Sequence, residues 1–127
     1  MAVIVVGYVD KPEGKAAARR AASEVRIRKA DRLLIVIVQR DLDAVDEETL
    51  AVVRRELDGT GIEPEVRVPA SGHEAAEELI ETAEREQAEL IVIGLRRRSP
   101  VGKLILGSNS QRVLLDATCP VLAVKAT

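Results

Sequence analysis

Four short apolar runs, each rich in β-branched residues, divide the chain. They occupy residues 3–6, 33–38, 90–93 and 121–124. None of them alternates between apolar and polar positions, which is typical of strands covered on both faces in a parallel sheet. A weaker run at residues 63–68 alternates charged and apolar side chains and carries Pro64 near its start. We expect this run to form an edge strand with one face in water.

Helical spacing fills the segments between these runs. Residues 12–30 and 46–57 each place apolar side chains on one stripe and charged side chains on the opposite side. A capping-box pattern that starts at Ser71 opens a third helix with its own apolar stripe. Strands that alternate with helices in this way predict one α/β domain over residues 1–127. Its expected core is an open, doubly wound, five-stranded parallel sheet with helices on both faces.

The composition limits what can fill this core. Apolar residues make up 46% of the chain, but there is no Phe or Trp, and Tyr8 is the only aromatic residue. The core must therefore be built from Val, Ile, Leu and Ala. Charged residues make up 31% with a net charge of -2, which indicates neither a nucleic-acid partner nor an acidic membrane surface.

The cellular compartment is predicted from what the sequence lacks. Cys119 is the single cysteine, so no disulfide framework is possible within the chain, which fits a reducing environment. The N-terminus opens directly on the first apolar run, without a basic leader and a cleavage site. No apolar run approaches the roughly 20 residues that span a bilayer. We expect a cytoplasmic protein.

The connection after the fourth strand, residues 94–110, has the features of an anion site. Gly94 is expected to let the backbone turn at the end of the strand, and Gly107 to let a ligand approach the main chain. Residues 108–111 begin a helix whose free N–H groups and positive dipole end favour an anion. Positive charge is added by four basic residues: Arg96, Arg97, Arg98 and Lys103. Ligands of open α/β sheets bind where the strand order reverses, and this loop is expected to leave the sheet there.

The same residues can also be explained without a ligand. Ser108 and Gln111 have the spacing of a capping box, which satisfies a helix terminus by itself. The arginine run is compatible with a solvated loop, and Gly94 with a simple strand end. Spacing alone leaves both interpretations open.

The stretch from residue 94 to residue 125 resembles the C-terminal half of universal stress proteins. Nucleotide-binding members of that family carry a glycine, two residues, a second glycine, nine residues, and then Gly followed by Ser or Thr. Gly94, Arg97 and Gly107-Ser108 occupy these places here, so Arg replaces the second glycine. The resemblance extends over essentially the whole chain. It implies strand order 3-2-1-4-5 and a regulatory or stress-response role with an unidentified regulatory protein partner.

The resemblance also implies a ligand, ATP or AMP, with Mg²⁺ if the ligand is ATP. The implied site consists of Gly7, Tyr8, Val38, Gly94, Arg97, Gly107, Ser108, Asn109 and Ser110. The family often has an Asp at the end of the first strand, about where Tyr8 stands. Tyr8 either stacks on the base or covers the sheet as a hydrophobic lid. Arg97 either blocks the phosphate region or binds a phosphate through its forked donors.

Strand position and resemblance together predict a homodimer that forms through the last strand, Val121–Lys125. In the expected strand order this apolar strand lies at an open edge of the sheet, and its antiparallel pairing with a second copy covers that edge.

No residue is predicted to be catalytic. His73 is expected at a helix surface, and Cys119 has no basic neighbour that would activate it. A weak ATPase activity stays open. The rival function is a universal stress domain that binds no nucleotide and works as a dimeric protein-interaction module. Arg97 and the absent Asp favour this rival, whereas Gly107-Ser108 and the arginine cluster oppose it.

Overall fold

The computed structural model describes residues 2–38, 47–69, 74–95 and 106–126, in which five strands alternate with four helices. The elements are β1 (Val3–Tyr8), α1 (Pro12–Arg28), β2 (Arg32–Ile37), α2 (Glu47–Glu56), β3 (Glu65–Arg67), α3 (Ala75–Arg85), β4 (Leu90–Leu95), α4 (Ser108–Asp116) and β5 (Val121–Lys125). The strands pair in parallel in the order β3-β2-β1-β4-β5. The predicted fold class and strand order are confirmed.

Side chains of the central strands alternate between two core layers. Ile4, Val6 and Tyr8 of β1 pack with α1 and α2, whereas Val3 and Val5 pack with α3 and α4. Both faces of the sheet are therefore covered, which explains why the central strands are continuously apolar. The α1 layer is made largely of small residues, which are Ala17, Ala18, Ala21 and Ala22. Their size lets α1 lie close to the sheet in a core with a single aromatic side chain.

Two strands are longer than their apolar runs suggested. β1 continues to Tyr8 and β4 continues to Leu95, two residues past the predicted ends in each case. Gly7 stays in register with Val36 of β2, and Gly94 stays in register with Val124 of β5. Glycine is disfavoured in strands but does not interrupt the backbone pairing. The extra residues carry both strands further toward the carboxyl end of the sheet.

The edge strand β3 is shorter than predicted, with three residues, and charged side chains attach it to the sheet. The guanidinium of Arg32 donates two hydrogen bonds of 2.8 Å to the carboxylate of Glu65 and one of 3.0 Å to Glu86. Hydrogen bonding from Arg32 lowers the pKa of Glu65. This edge of the sheet is therefore short, charged and partly wet, as its alternating sequence predicts.

Candidate functional site

A pocket of about 100 Å³ opens at the carboxyl end of the sheet, between the ends of β1 and β4 and the helices α3 and α4. It is lined by Gly7, Val9, Val38, Ala75, Leu79, Ile93, Gly94, Asn109, Ser110 and Val113. The strand order reverses between β1 and β4. Ligands of open α/β sheets bind at this switch point, so the pocket lies where the topology expects one.

The pocket brings together five of the nine predicted site residues. These are Gly7, Val38, Gly94, Asn109 and Ser110. Gly107 and Ser108 lie beside it, as the N-cap and the first residue of α4, and both are exposed. Arg97 lies outside the described residues, as do the neighbouring basic residues Arg96, Arg98 and Lys103.

The N-terminus of α4 differs from the predicted capping box. The N-cap is Gly107 and not Ser108, so no side chain within the described ranges caps the helix. The main-chain N–H of Gln111 donates to the Gly107 carbonyl at 3.0 Å, and its side-chain amide donates to the Leu106 carbonyl at 3.2 Å. The first turn carries no acidic residue. Among the described residues, no side chain competes with an anion for the leading N–H groups of α4 and its positive dipole end.

Gly94 is required by packing and not by a turn. It lies inside β4, and its φ is not among the positive values found for glycines of the described segments, so the expected turn at Gly94 is wrong. A Cβ at this position would collide with the main-chain carbonyl of Glu13 in α1. A Cβ at Gly14 would likewise collide with the carbonyl of Val9. The start of α1 therefore interlocks with the ends of β1 and β4 through two glycines.

Among the described residues, neither the backbone conformation nor the space around Gly107 requires a glycine. Its φ of -69° is accessible to any residue. An added Cβ would meet no atom of the described chain within 4 Å. The described residues give no reason for glycine at position 107, whereas a ligand that approaches the main chain would give one.

Tyr8 does not line the pocket. Its side chain is 0% exposed and lies in the α1 layer of the core, on the opposite face of the sheet from Gly7. This position favours the hydrophobic interpretation of Tyr8 over stacking on a base. The pocket residue after β1 is Val9, the next one along the chain. Val9 is not among the predicted site residues, although the alternation of side chains along an extended chain places it on the same face as Gly7.

The buried hydroxyl of Tyr8 leads to a prediction about alkaline pH. It has no hydrogen-bond partner among the described residues, and burial, assisted by the charges of Asp10 and Glu56, raises the pKa of Tyr8 from 10.0 to about 12. Because the folded state favours the neutral phenol, the contribution of Tyr8 to the free energy of unfolding is fully present below pH 10. We expect it to decline by about 2–3 kcal/mol as the pH rises to 12.

Tyrosinate absorbance measures this directly, because the chain has one Tyr and no Trp. Circular dichroism at each pH reports whether the fold is retained. Tyr8→Phe is the control, and its alkaline loss of stability should be smaller. Ionisation of Tyr8 near pH 10 in a protein that is still folded would contradict the prediction.

Cys119 does not line the pocket. Cys119 is half-buried, and burial raises the pKa of its thiol, which makes it a poorer nucleophile. His73 lies outside the described residues. The described segments contain no group of three or more His, Cys, Asp or Glu side chains placed to hold a metal ion. In the same segments, no helix combines the length and apolar character needed to cross a membrane.

The geometry defines an open α/β protein with a pocket at the switch point of its sheet, and comparison places it in a family. The profile described as the universal stress protein family matches residues 1–125. A universal stress protein of Mycolicibacterium smegmatis is 42% identical over 127 residues, with 97% of each chain covered. The chain belongs to the universal stress protein family.

Solved structures agree with this assignment. A universal stress protein from Archaeoglobus fulgidus matches with a TM-score of 0.74 and 30% identity, over 98% of this chain and 99% of that chain. A universal stress protein from Archaeoglobus fulgidus in complex with dAMP matches with a TM-score of 0.69 and 24% identity, over 98% of both chains. The second likeness is one of fold.

Proposed function

We propose that this protein binds an adenine nucleotide, AMP or ATP, at the pocket between β1 and β4, and that it acts in regulation or stress response without turning the nucleotide over. One observation carries the proposal: the uncapped N-terminus of α4 stands beside a largely apolar pocket at the switch point of the sheet. An apolar pocket suits a base, and free N–H groups at a helix start suit a phosphate.

We expect the end of the proposed site that holds the base to distinguish adenine from guanine through a hydrogen bond to Val38. The N–H of Val38 donates to the carbonyl of Tyr8 at 2.8 Å, so the group of Val38 that can meet a ligand is its carbonyl oxygen. An acceptor suits the amino group of adenine, whereas guanine presents a carbonyl oxygen at the equivalent position. Apolar side chains such as Val9 and Ile93 would cover the faces of the base.

The phosphate end lies at the start of α4. The pocket is lined mainly by apolar side chains, so we expect it to hold the base and to leave the phosphates at its mouth. The exposed Gly107 and Ser108 border the pocket on the side of Asn109 and Ser110. We expect the hydroxyl of Ser110, which lines the pocket, to donate a hydrogen bond to a phosphate. The related protein solved with dAMP makes a nucleoside monophosphate a suitable first ligand to test.

Two measurements test the proposal. Protein purified without added nucleotide is denatured, and the supernatant is analysed for released AMP or ATP. Emptied protein is then titrated calorimetrically with AMP, with ATP in the presence and absence of Mg²⁺, and with GMP. We expect AMP or ATP to bind at least about tenfold more tightly than GMP, because guanine leaves the Val38 carbonyl unpaired. Release of no nucleotide together with no heat from any of them would reject the site and favour the dimeric interaction module.

We also propose that the protein is a homodimer that pairs through β5. Residues 121–124 of this edge strand are half-buried, although in one chain they flank a single neighbour, β4. Ile91 donates its N–H to Pro120, and Ala126 donates its N–H to Leu95. Successive N–H groups along a strand point to opposite sides. Because the N–H of Ala126 points toward β4, those of Val121 and Ala123 point to the open edge. Antiparallel pairing with a second copy would satisfy them and stop at two subunits.

The regulatory protein partner and the cytoplasmic location stay predictions. Both follow from the family resemblance or from composition, and neither enters the two proposals above.

A further inference from the structure

One arginine of α4 joins the two helices that form the outer wall of the pocket. The same Nη1 atom of Arg112 lies 3.1 Å from the carboxylate of Glu74 and 3.1 Å from that of Glu77. Glu74 is the N-cap of α3, and Glu77 lies in its first turn. On its own helix, Nε of Arg112 lies 3.8 Å from Asp116. The guanidinium therefore bridges the start of α3 to the middle of α4.

The residues of this bridge, Arg112, Glu74 and Glu77, lie next to or between pocket-lining residues along their helices. Ala75 and Leu79 line it from α3, and Ser110 and Val113 line it from α4. Glu74 directly precedes Ala75, and Arg112 directly precedes Val113. A change in the distance between the two helices at Arg112 therefore changes the width of the pocket.

We propose that Arg112 is a positioning residue that holds α4 against the start of α3 and so keeps the pocket at the width of a nucleotide base. The proposal rests on the proposed function. The side chain of Arg112 is 40% exposed, and exposed ion pairs contribute little to global stability. The expected effect is thus on the pocket and not on the fold.

The opposite explanation is that Arg112 attracts the phosphate directly. The two explanations predict opposite changes in AMP affinity when the carboxylates, rather than the arginine, are removed. Glu74→Gln with Glu77→Gln releases the guanidinium from α3 and deletes two negative charges near the site. Direct attraction would then strengthen the binding of AMP, whereas loss of the bridge weakens it.

The experiment compares AMP with uncharged adenosine in three variants. Arg112→Gln and the double variant Glu74→Gln/Glu77→Gln remove the bridge from either side. Arg54→Gln removes an exposed ion pair with Glu63 that is remote from the pocket, and serves as the charge-matched control. We expect both bridge variants to bind AMP and adenosine about twofold to fivefold more weakly, with melting temperatures lowered by no more than a few degrees, and Arg54→Gln to bind as the wild type does. Unchanged adenosine affinity, or tighter AMP binding by the double variant, would overturn the proposal.

A second readout needs no ligand, so that failure of the bridge can be told apart from failure of the nucleotide site. Amide hydrogen exchange is measured in the ligand-free proteins. The bridge predicts faster exchange at residues 111–114 of α4 in Arg112→Gln, with exchange in α1 unchanged. Equal exchange in wild type and variant would reject the bridge even if the wild type binds AMP. Faster exchange with no nucleotide bound by the wild type would retain the bridge and reject the proposed function.

Discussion

Gly107→Val is expected to abolish AMP binding and to leave the fold intact. The valine side chain would stand over the leading N–H groups of α4, where the phosphate is proposed to bind. Loss of two charge-assisted hydrogen bonds corresponds to about a hundredfold or more in affinity. The fold should tolerate the change, because φ at Gly107 is -69° and an added Cβ would meet no described atom within 4 Å. The less favourable N-cap costs about 1 kcal/mol.

Calorimetric titration and thermal unfolding of both proteins measure the two halves of this prediction. Gly14→Ala is the matched control, because its Cβ would collide with the main chain of Val9 and Gly14 does not line the pocket. We expect that variant to lose roughly 1–3 kcal/mol of stability through overpacking. Equal AMP affinity of the wild type and Gly107→Val would remove the start of α4 from the site.

Ala123→Pro is expected to convert the proposed dimer into a folded monomer. Proline removes an N–H that faces the open edge of β5 and places its ring where the second copy would pair. Pairing with β4 should persist, because the N–H groups of Leu122, Val124 and Ala126 serve that side, as the bond from Ala126 to Leu95 indicates. We expect the dimer dissociation constant to rise by about a hundredfold or more, since two symmetry-related sets of hydrogen bonds are lost.

Sedimentation at micromolar concentration measures the assembly, and circular dichroism checks the fold. Two further substitutions serve as controls. Leu122→Pro should break the pairing with β4 and destabilise the protein, whereas Val66→Thr, at the opposite edge, should leave the assembly unchanged. A wild-type protein that sediments as a monomer under these conditions would defeat the dimer proposal.

The sequence predicted the architecture because each element carries its own local signal. Continuous apolar runs identify strands covered on both faces, and one alternating run identifies the charged edge strand β3. Strand order came from the family resemblance and from no local pattern. The ends of the strands were predicted less well, because Gly7 and Gly94 extend the backbone pairing without lengthening the apolar run.

The candidate site was predicted as a region and less well residue by residue. The choice between Tyr8 and Val9 depends on which face of the sheet each side chain takes. The predicted strand ended at residue 6, so the alternation of side chains between the two faces was not extended to residues 8 and 9. The role of Gly94 depends on how closely α1 approaches β4, a contact between residues far apart in the sequence. The side chains that α3 contributes, Ala75 and Leu79, have the periodicity of an ordinary core face and give no local sign of a pocket.

The glycine interlock between α1 and the sheet bears on how relatives diverge. Gly14 and Gly94 have no room for a Cβ because of main-chain atoms, so any descendant that keeps this helix–sheet contact must keep both, whatever it binds. Under the proposed function, Gly107 is constrained only by the ligand, because no described atom lies within 4 Å of an added Cβ. Gly94 is then expected both in relatives that bind a nucleotide and in relatives that do not. Replacement of the glycine at the start of α4 would be expected only in relatives that no longer bind one.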